Sequence, residues 1–206
     1  MKIYLVRHGE TEWNREEVFR GRLDVPLNEN GRRQSQRTGL HLRRMPVARI
    51  LSSPLMRARQ TAEIIAEEVL KPVQAMEELT DMGFGTWEGL PLVEVRRRFP
   101  RELEVWAREP HKWRIEGAET LQDVRKRLLR ALKGIRGEED VIVVTHRVVC
   151  KVLACLLLGI PNSRFWYLRF DPCSISIFED RGDHRVCHLL NGTSHLEDLG
   201  FPYTDF

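Results

Sequence analysis

The apolar positions of this chain fall into two patterns. Residues 3–6 (IYLV) and 141–145 (VIVVT) are short unbroken apolar runs, the pattern of strands covered on both faces, as at the centre of a parallel sheet. Residues 47–53 (VARILSS) and 73–79 (VQAMEEL) read as two further strands. Between them lie longer segments with helical periodicity. One helix is expected over 31–44. A second follows over 54–70, with Pro54 near its start, where a missing N–H costs least, and an apolar face of Ala62, Ile64, Ile65, Ala66 and Val69. A third is expected over 119–135, with Thr120 and Asp123 placed as a capping pair. Residues 148–160 form a largely apolar helix stopped by Gly159 and Pro161. Residues 173–180 and 184–190, joined across Arg181-Gly182-Asp183, read as a hairpin. Strands alternating with helices predict an α/β fold: a three-layer sandwich with a mostly parallel sheet flanked by helices and a C-terminal β-hairpin.

Two stretches interrupt this alternation. Residues 10–29 are polar and loop-like, and 81–89 (DMGFGTWEG) holds three glycines in nine residues, which requires a loop. Residues 90–116 mix helix and loop around Trp106 and Trp113. No linker or repeat divides the chain, so residues 1–206 read as a single domain in which 90–116 forms a cap.

Composition narrows the function classes. The net charge of +3 gives no global electrostatic case for nucleic acid, and the basic runs 96–98 and 125–127 read as solvated helix faces. Of the 33 basic residues 27 are arginine, which suits bidentate contact with anions wherever several converge. Cysteines 150, 155, 173 and 187 form no C-x-x-C pair, and His184, His188 and His195 are not spaced as metal ligands. The longest apolar run, 152–160, is too short to cross a bilayer, and no signal peptide is legible at the start, so a cytoplasmic protein without a membrane partner is expected.

The chemistry gathers at strand ends, where open parallel sheets meet their ligands. The run 3–6 ends in Arg7, His8 and Gly9; the run 141–145 ends in His146 and Arg147. Arg57 follows the strand over 47–53, in the first turn of a helix, and Asp81 precedes the glycine loop, with Glu88 as a nearby competitor. Each alone has an ordinary reading: a structural histidine, a surface arginine, a turn-forming aspartate. Together, two histidines, two arginines and a carboxylate make an anion site with a nucleophile and an acid, and the simplest such anion is a phosphoryl group.

The stretches LVRHGETEWN, GRLDVPLNENG, SSPLMRARQTA, GFGTWEG and VVTH resemble, in order and spacing, the histidine phosphatase superfamily, the phosphoglycerate mutase-like group. The resemblance implies His8 as the nucleophile forming a phosphohistidine. Arg7, Arg57 and His146 would hold the phosphoryl oxygens, and Asp81 would be the acid where the family usually has glutamate. It implies substrate contacts from Asn14, Gly21 and Arg20, and neither metal nor cofactor. Arg108 in the cap, and Arg147 where the family usually has glycine, are candidate specificity residues. DMGFG followed by TWEG resembles the small phosphatases, so hydrolysis of a small phosphorylated metabolite is expected. A cofactor-dependent mutase and a non-catalytic phospho-ligand binding protein are the alternatives. The apolar helix over 148–160 could serve a homodimer or be buried in the monomer.

Overall fold

The computed structural model describes residues 1–135 and 137–199. Six strands form one sheet: β1 Lys2–Arg7, β2 Val47–Ser52, β3 Val73–Ala75, β4 Asp140–Thr145, β5 Ile175–Asp180 and β6 Arg185–Gly192. Their spatial order is β3-β2-β4-β1-β5-β6. The first four run parallel, and the β5–β6 hairpin closes one edge antiparallel to β1. Within the central pair Arg7 faces Thr145, so His8 and His146 leave the sheet side by side. The His8 N–H extends the ladder by donating to Thr145 O at 2.8 Å.

The helices are α1 Glu12–Arg15, α2 Glu29–Leu42, α3 Met56–Val69, α4 Leu92–Arg98, α5 Pro100–Arg108, α6 Leu121–Ile135 and α7 Arg147–Leu157. They cover both faces of the sheet. Tyr4, Val6, Ile142 and Val144 pack with Leu42 of α2 and Ala58, Ala62 and Ile65 of α3. Ile3, Leu5, Val141 and Val143 point the other way, into a core shared with Leu128 of α6 and Val149 and Leu153 of α7. Successive strand residues point to opposite faces, so a strand with two buried faces must be apolar at every position. Each such side chain contributes roughly 1.5–3 kcal/mol by leaving water.

Local chemistry sets the element ends. The expected helix over 31–44 starts two residues earlier, because Asn28 caps it by accepting from Gly31 N at 2.8 Å. Thr120 and Asp123 cap α6 reciprocally, each side chain accepting the other's backbone N–H at 3.1 Å. The strand expected over 73–79 pairs only as Val73–Ala75, and Glu77–Leu79 turns into a 3-10 helix. Nine of the eleven residues of α7 are buried within this one chain.

The segment over 90–116 is stitched to the main core. Trp106 on α5 packs against Trp113 at 5.1 Å, Phe84 at 5.5 Å and Trp166 at 5.5 Å between ring centroids. Trp106 and Trp113 are therefore packing residues. The basic run 96–98 is solvated, but Arg127 is not: it is buried, donating to Glu119 and to Glu78 O. Periodicity does not reveal that partner, which lies eight residues before it.

Candidate active site

His8 sits immediately beyond β1, fully buried, and its Nδ1 lies 2.7 Å from Gly9 O. A carbonyl only accepts, so Nδ1 carries the proton and Nε2 keeps its lone pair. Nε2 is buried and has no hydrogen-bond partner among the described residues. Burial, then the charges of Arg57, Arg20 and Arg7, hold the imidazole well below its usual 6.5. The glycine at 9 has a steric cause: a Cβ there would lie 2.5 Å from Gly31 O. Its N–H donates to Thr61 Oγ1 at 3.0 Å, fixing the turn.

Arg57, on the first turn of α3, is fully buried. Its Nη1 donates to Leu23 O at 2.9 Å, and its Nη2 donates to Gly21 O at 2.8 Å and Asp81 Oδ2 at 3.0 Å. Gly21 has φ +51°, and a Cβ on it would lie 2.0 Å from Glu88 Oε1. That carboxylate accepts from Phe84 N at 2.9 Å and Arg22 N at 3.1 Å, so Glu88 clamps two loops together and does not compete with Asp81. Arg7 donates through Nη1 to Phe170 O at 2.5 Å, and Arg20 through Nη1 to Thr11 Oγ1 at 3.4 Å. Arg20 is half-buried with its Nε inside: desolvation, then Arg57 and Arg7, lower its pKa, while Asp81 opposes.

Asp81 is 6% exposed, and its second oxygen accepts from Met82 N at 2.9 Å. His146 completes the group. Its ring centroid is 5.2 Å from that of His8, its Nε2 is 2.7 Å from Ser53 Oγ, and its Nδ1 is 3.7 Å from Asp81 Oδ2. Burial first, then Arg57, His8 and Arg20, keep it well below 6.5. The result is a cage of three arginines, two histidines held neutral and one carboxylate. His8 Nε2, Arg20 Nε, Arg57 Nε and His146 Nδ1 are all buried without a hydrogen-bond partner among the described residues. A buried polar atom left so costs about 1–3 kcal/mol, and four clustered in one net-positive cage suit an anion.

The cage thus gathers His8, Arg7, Arg57, Asp81, His146 and Arg20, with the Gly21 carbonyl fixing Arg57. Asn14 borders it: its Oδ1 accepts from Thr11 N and Oγ1, both at 3.0 Å, and Thr11 Oγ1 meets Arg20. Arg147 opens α7 with its guanidinium 5.8 Å from the Trp166 ring centroid, and its charge also lowers the Arg20 pKa. Arg108 is not brought in. Its side chain is 78% exposed and paired with Glu104 at 3.3 Å, and no described hydrogen bond or ion pair joins it to the cage.

The sequence profile of the histidine phosphatase superfamily (branch 1) matches residues 3–193. The chain belongs to this superfamily. Phosphoserine phosphatase 1 of Hydrogenobacter thermophilus is 35% identical over 202 residues, covering 97% of this chain and 96% of that protein. Bacillus stearothermophilus YhfR superposes with a TM-score of 0.90 at 33% identity, covering 95% of this chain and 98% of the other. A probable phosphoglycerate mutase GpmB of Klebsiella pneumoniae is 33% identical over 183 residues, 85% of this chain and 83% of that protein. As a histidine phosphatase superfamily enzyme the chain thus has relatives named as phosphatases and as a probable mutase. Among its described residues no helix is long and apolar enough to cross a membrane.

Two contributors to the cage escape sequence reasoning. Thr61 and Ser53 both lie in SSPLMRARQTA, the stretch that carries Arg57, but nothing in their spacing says that one holds Gly9 and the other His146. Arg20 is a candidate on the family resemblance alone; without it, it reads as one arginine in a polar loop. Its depth becomes visible once Thr11 and Arg57 are placed around it.

Proposed function

We propose that the chain hydrolyses phosphomonoesters of small metabolites, without a metal, through a phosphohistidine on His8. The observation that supports this reading most is the lone pair of His8 Nε2, buried within a cage of donors. His8 Nε2 attacks phosphorus; the P–N bond forms as the ester P–O bond breaks, in line. Arg7, Arg20, Arg57 and His146 hold the equatorial oxygens, where charge gathers, and so supply the stabilisation a metal would otherwise give. Asp81, a carboxylate in the unliganded cage, takes up a proton from solvent as the anionic ester enters beside it and gives that proton to the leaving oxygen. Water then loses a proton to the Asp81 carboxylate and attacks phosphorus, the P–N bond breaks, and His8 recovers its lone pair. Asn14 would add an amide donor at the border of the cage.

Arg147, lying over Trp166 with its charge felt at Arg20, would face the leaving group and favour alcohols that carry a second negative charge. Arg108 has no part in this reading. Four free cysteines, three of them buried, suit a reduced cytoplasmic compartment.

The test is a phosphate-release panel of sugar phosphates, phosphoserine and phosphoglycerates in EDTA, with His8→Ala as control. Release that depends on His8 supports the reading; activity lost in EDTA defeats the metal-free mechanism. The probable mutase among the relatives keeps one competitor in view. Exchange of 2- and 3-phosphoglycerate faster than phosphate release would make the chain a mutase. Phosphate binding with no turnover on any substrate would make it a binding protein.

A further inference from the structure

Ser53 lies just past β2, fully buried, and its N–H continues the sheet by donating to Val144 O at 3.1 Å. Its hydroxyl has two described neighbours: Leu55 N–H at 3.2 Å and His146 Nε2 at 2.7 Å. Leu55 N–H is a donor only, so among the described residues the one acceptor within reach of the Ser53 hydroxyl proton is His146 Nε2. In the reverse arrangement two N–H groups would converge on one oxygen, and a buried O–H would have no acceptor, at a cost of about 1–3 kcal/mol. The other side of the ring agrees. Nδ1 faces Asp81 Oδ2 at 3.7 Å, where an N–H is attracted to the carboxylate oxygen and a lone pair is repelled by it.

We infer that Ser53 is a positioning residue that fixes the tautomer of His146: the serine O–H donates to Nε2, and Nδ1–H points into the cage. His146 is then a neutral donor toward a phosphoryl oxygen and is not a base. The two histidines are set oppositely. His8 donates outward through Nδ1 and turns a lone pair inward, whereas His146 accepts outward through Nε2 and turns an N–H inward. The tautomer is a property of the unliganded protein; its use toward phosphate rests on the phosphatase reading.

Two-bond 15N–1H spectra of the 15N-histidine-labelled full chain report which ring nitrogen of His146 carries the proton, with His146→Gln giving the assignment. We expect a protonated Nδ1 and a bare Nε2. Ser53→Ala should release the ring toward the Nε2–H form, Ser53→Thr should restore it, and inorganic phosphate should bind roughly 10- to 100-fold more weakly to Ser53→Ala alone. A wild-type His146 that is protonated on Nε2, or on both nitrogens, overturns the inference whatever the variants do. So does a Ser53→Ala protein with an unchanged His146 signal. A bare Nε2 in a protein that neither binds phosphate nor releases it from any ester sustains the tautomer and defeats the phosphatase reading.

Discussion

The ends of β1 and β4 lie next to each other in register, and each delivers a buried histidine to the same cage, yet the two ends are built differently. After His8 comes a glycine that no larger residue can replace without meeting Gly31 O, and its carbonyl fixes the ring. After His146 comes Arg147, which opens a helix, and the ring is held by a hydroxyl from just past the end of a third strand. A carbonyl can only accept, so the β1 end has one electronic outcome. A hydroxyl can give or take, so the β4 end depends on what else the hydroxyl touches. Two identical side chains at equivalent positions can thus be given opposite tasks by one neighbouring atom.

The sharpest way to break this comparison is to remove each ring in turn. His8→Ala should lose the covalent intermediate and on the order of 10⁴- to 10⁶-fold in turnover. His146→Ala should still form acid-labile phosphohistidine, about 10²- to 10³-fold more slowly, as for the loss of one oxyanion donor. Rapid-quench phosphate labelling reads both, and label retained in His8→Ala but lost in His146→Ala would invert the assignment. Asp81→Asn comes next. A loss of roughly 10²- to 10⁴-fold is expected on alkyl phosphates, with a much smaller one on p-nitrophenyl phosphate, whose leaving group needs no proton. Equal losses on both would mean that Asp81 only orients Arg57.

The residues that follow the histidines should differ in stability. Gly9→Ala should cost about 1–3 kcal/mol in urea denaturation by overpacking against Gly31, whereas Arg147→Gly should cost about 1 kcal/mol or less. The same melts report the buried rings through pH. His8 and His146 stay neutral in the folded chain well below 6.5, whereas in the unfolded chain they protonate near that value. Below pH 6.5 the unfolded state therefore binds more protons. Stability should be full above 6.5 and fall as pH drops toward the folded values, by at most about 1.4 kcal/mol per pH unit for each ring. His195, lowered to about 4 mainly by burial, adds to the same slope. A His8→Gln chain with an unaltered slope would show that His8 titrates normally.

Much of this molecule is legible in its sequence, for reasons that also mark where reading stops. The runs 3–6 and 141–145 declare themselves because a strand buried on both faces has no polar position to hide it. Arg7, His8, Arg57, Asp81 and His146 are legible because strand ends of a parallel sheet converge on one crevice. The short β3 is not, since VQAMEEL carries no mark of where pairing with β2 stops and a 3-10 turn begins. Arg127 and Arg108 show the same limit from opposite sides. Both are helix arginines near an acidic residue, but Arg127 is buried where it meets the half-buried Glu119, whereas Arg108 meets Glu104 on the surface. Burial is decided by what packs over a helix face, and that information lies elsewhere in the chain.

One indole joins two parts of the molecule that protein engineers would treat as separate. Trp166 donates its Nε1–H to Trp106 O on α5 at 2.7 Å, while its face carries Arg147 beside the cage. The α4–α5 segment is therefore not a detachable specificity module. A relative's segment grafted here would meet an indole and an arginine that belong to this chain, and the relative's selectivity should transfer only when its residues at 147 and 166 come with the graft.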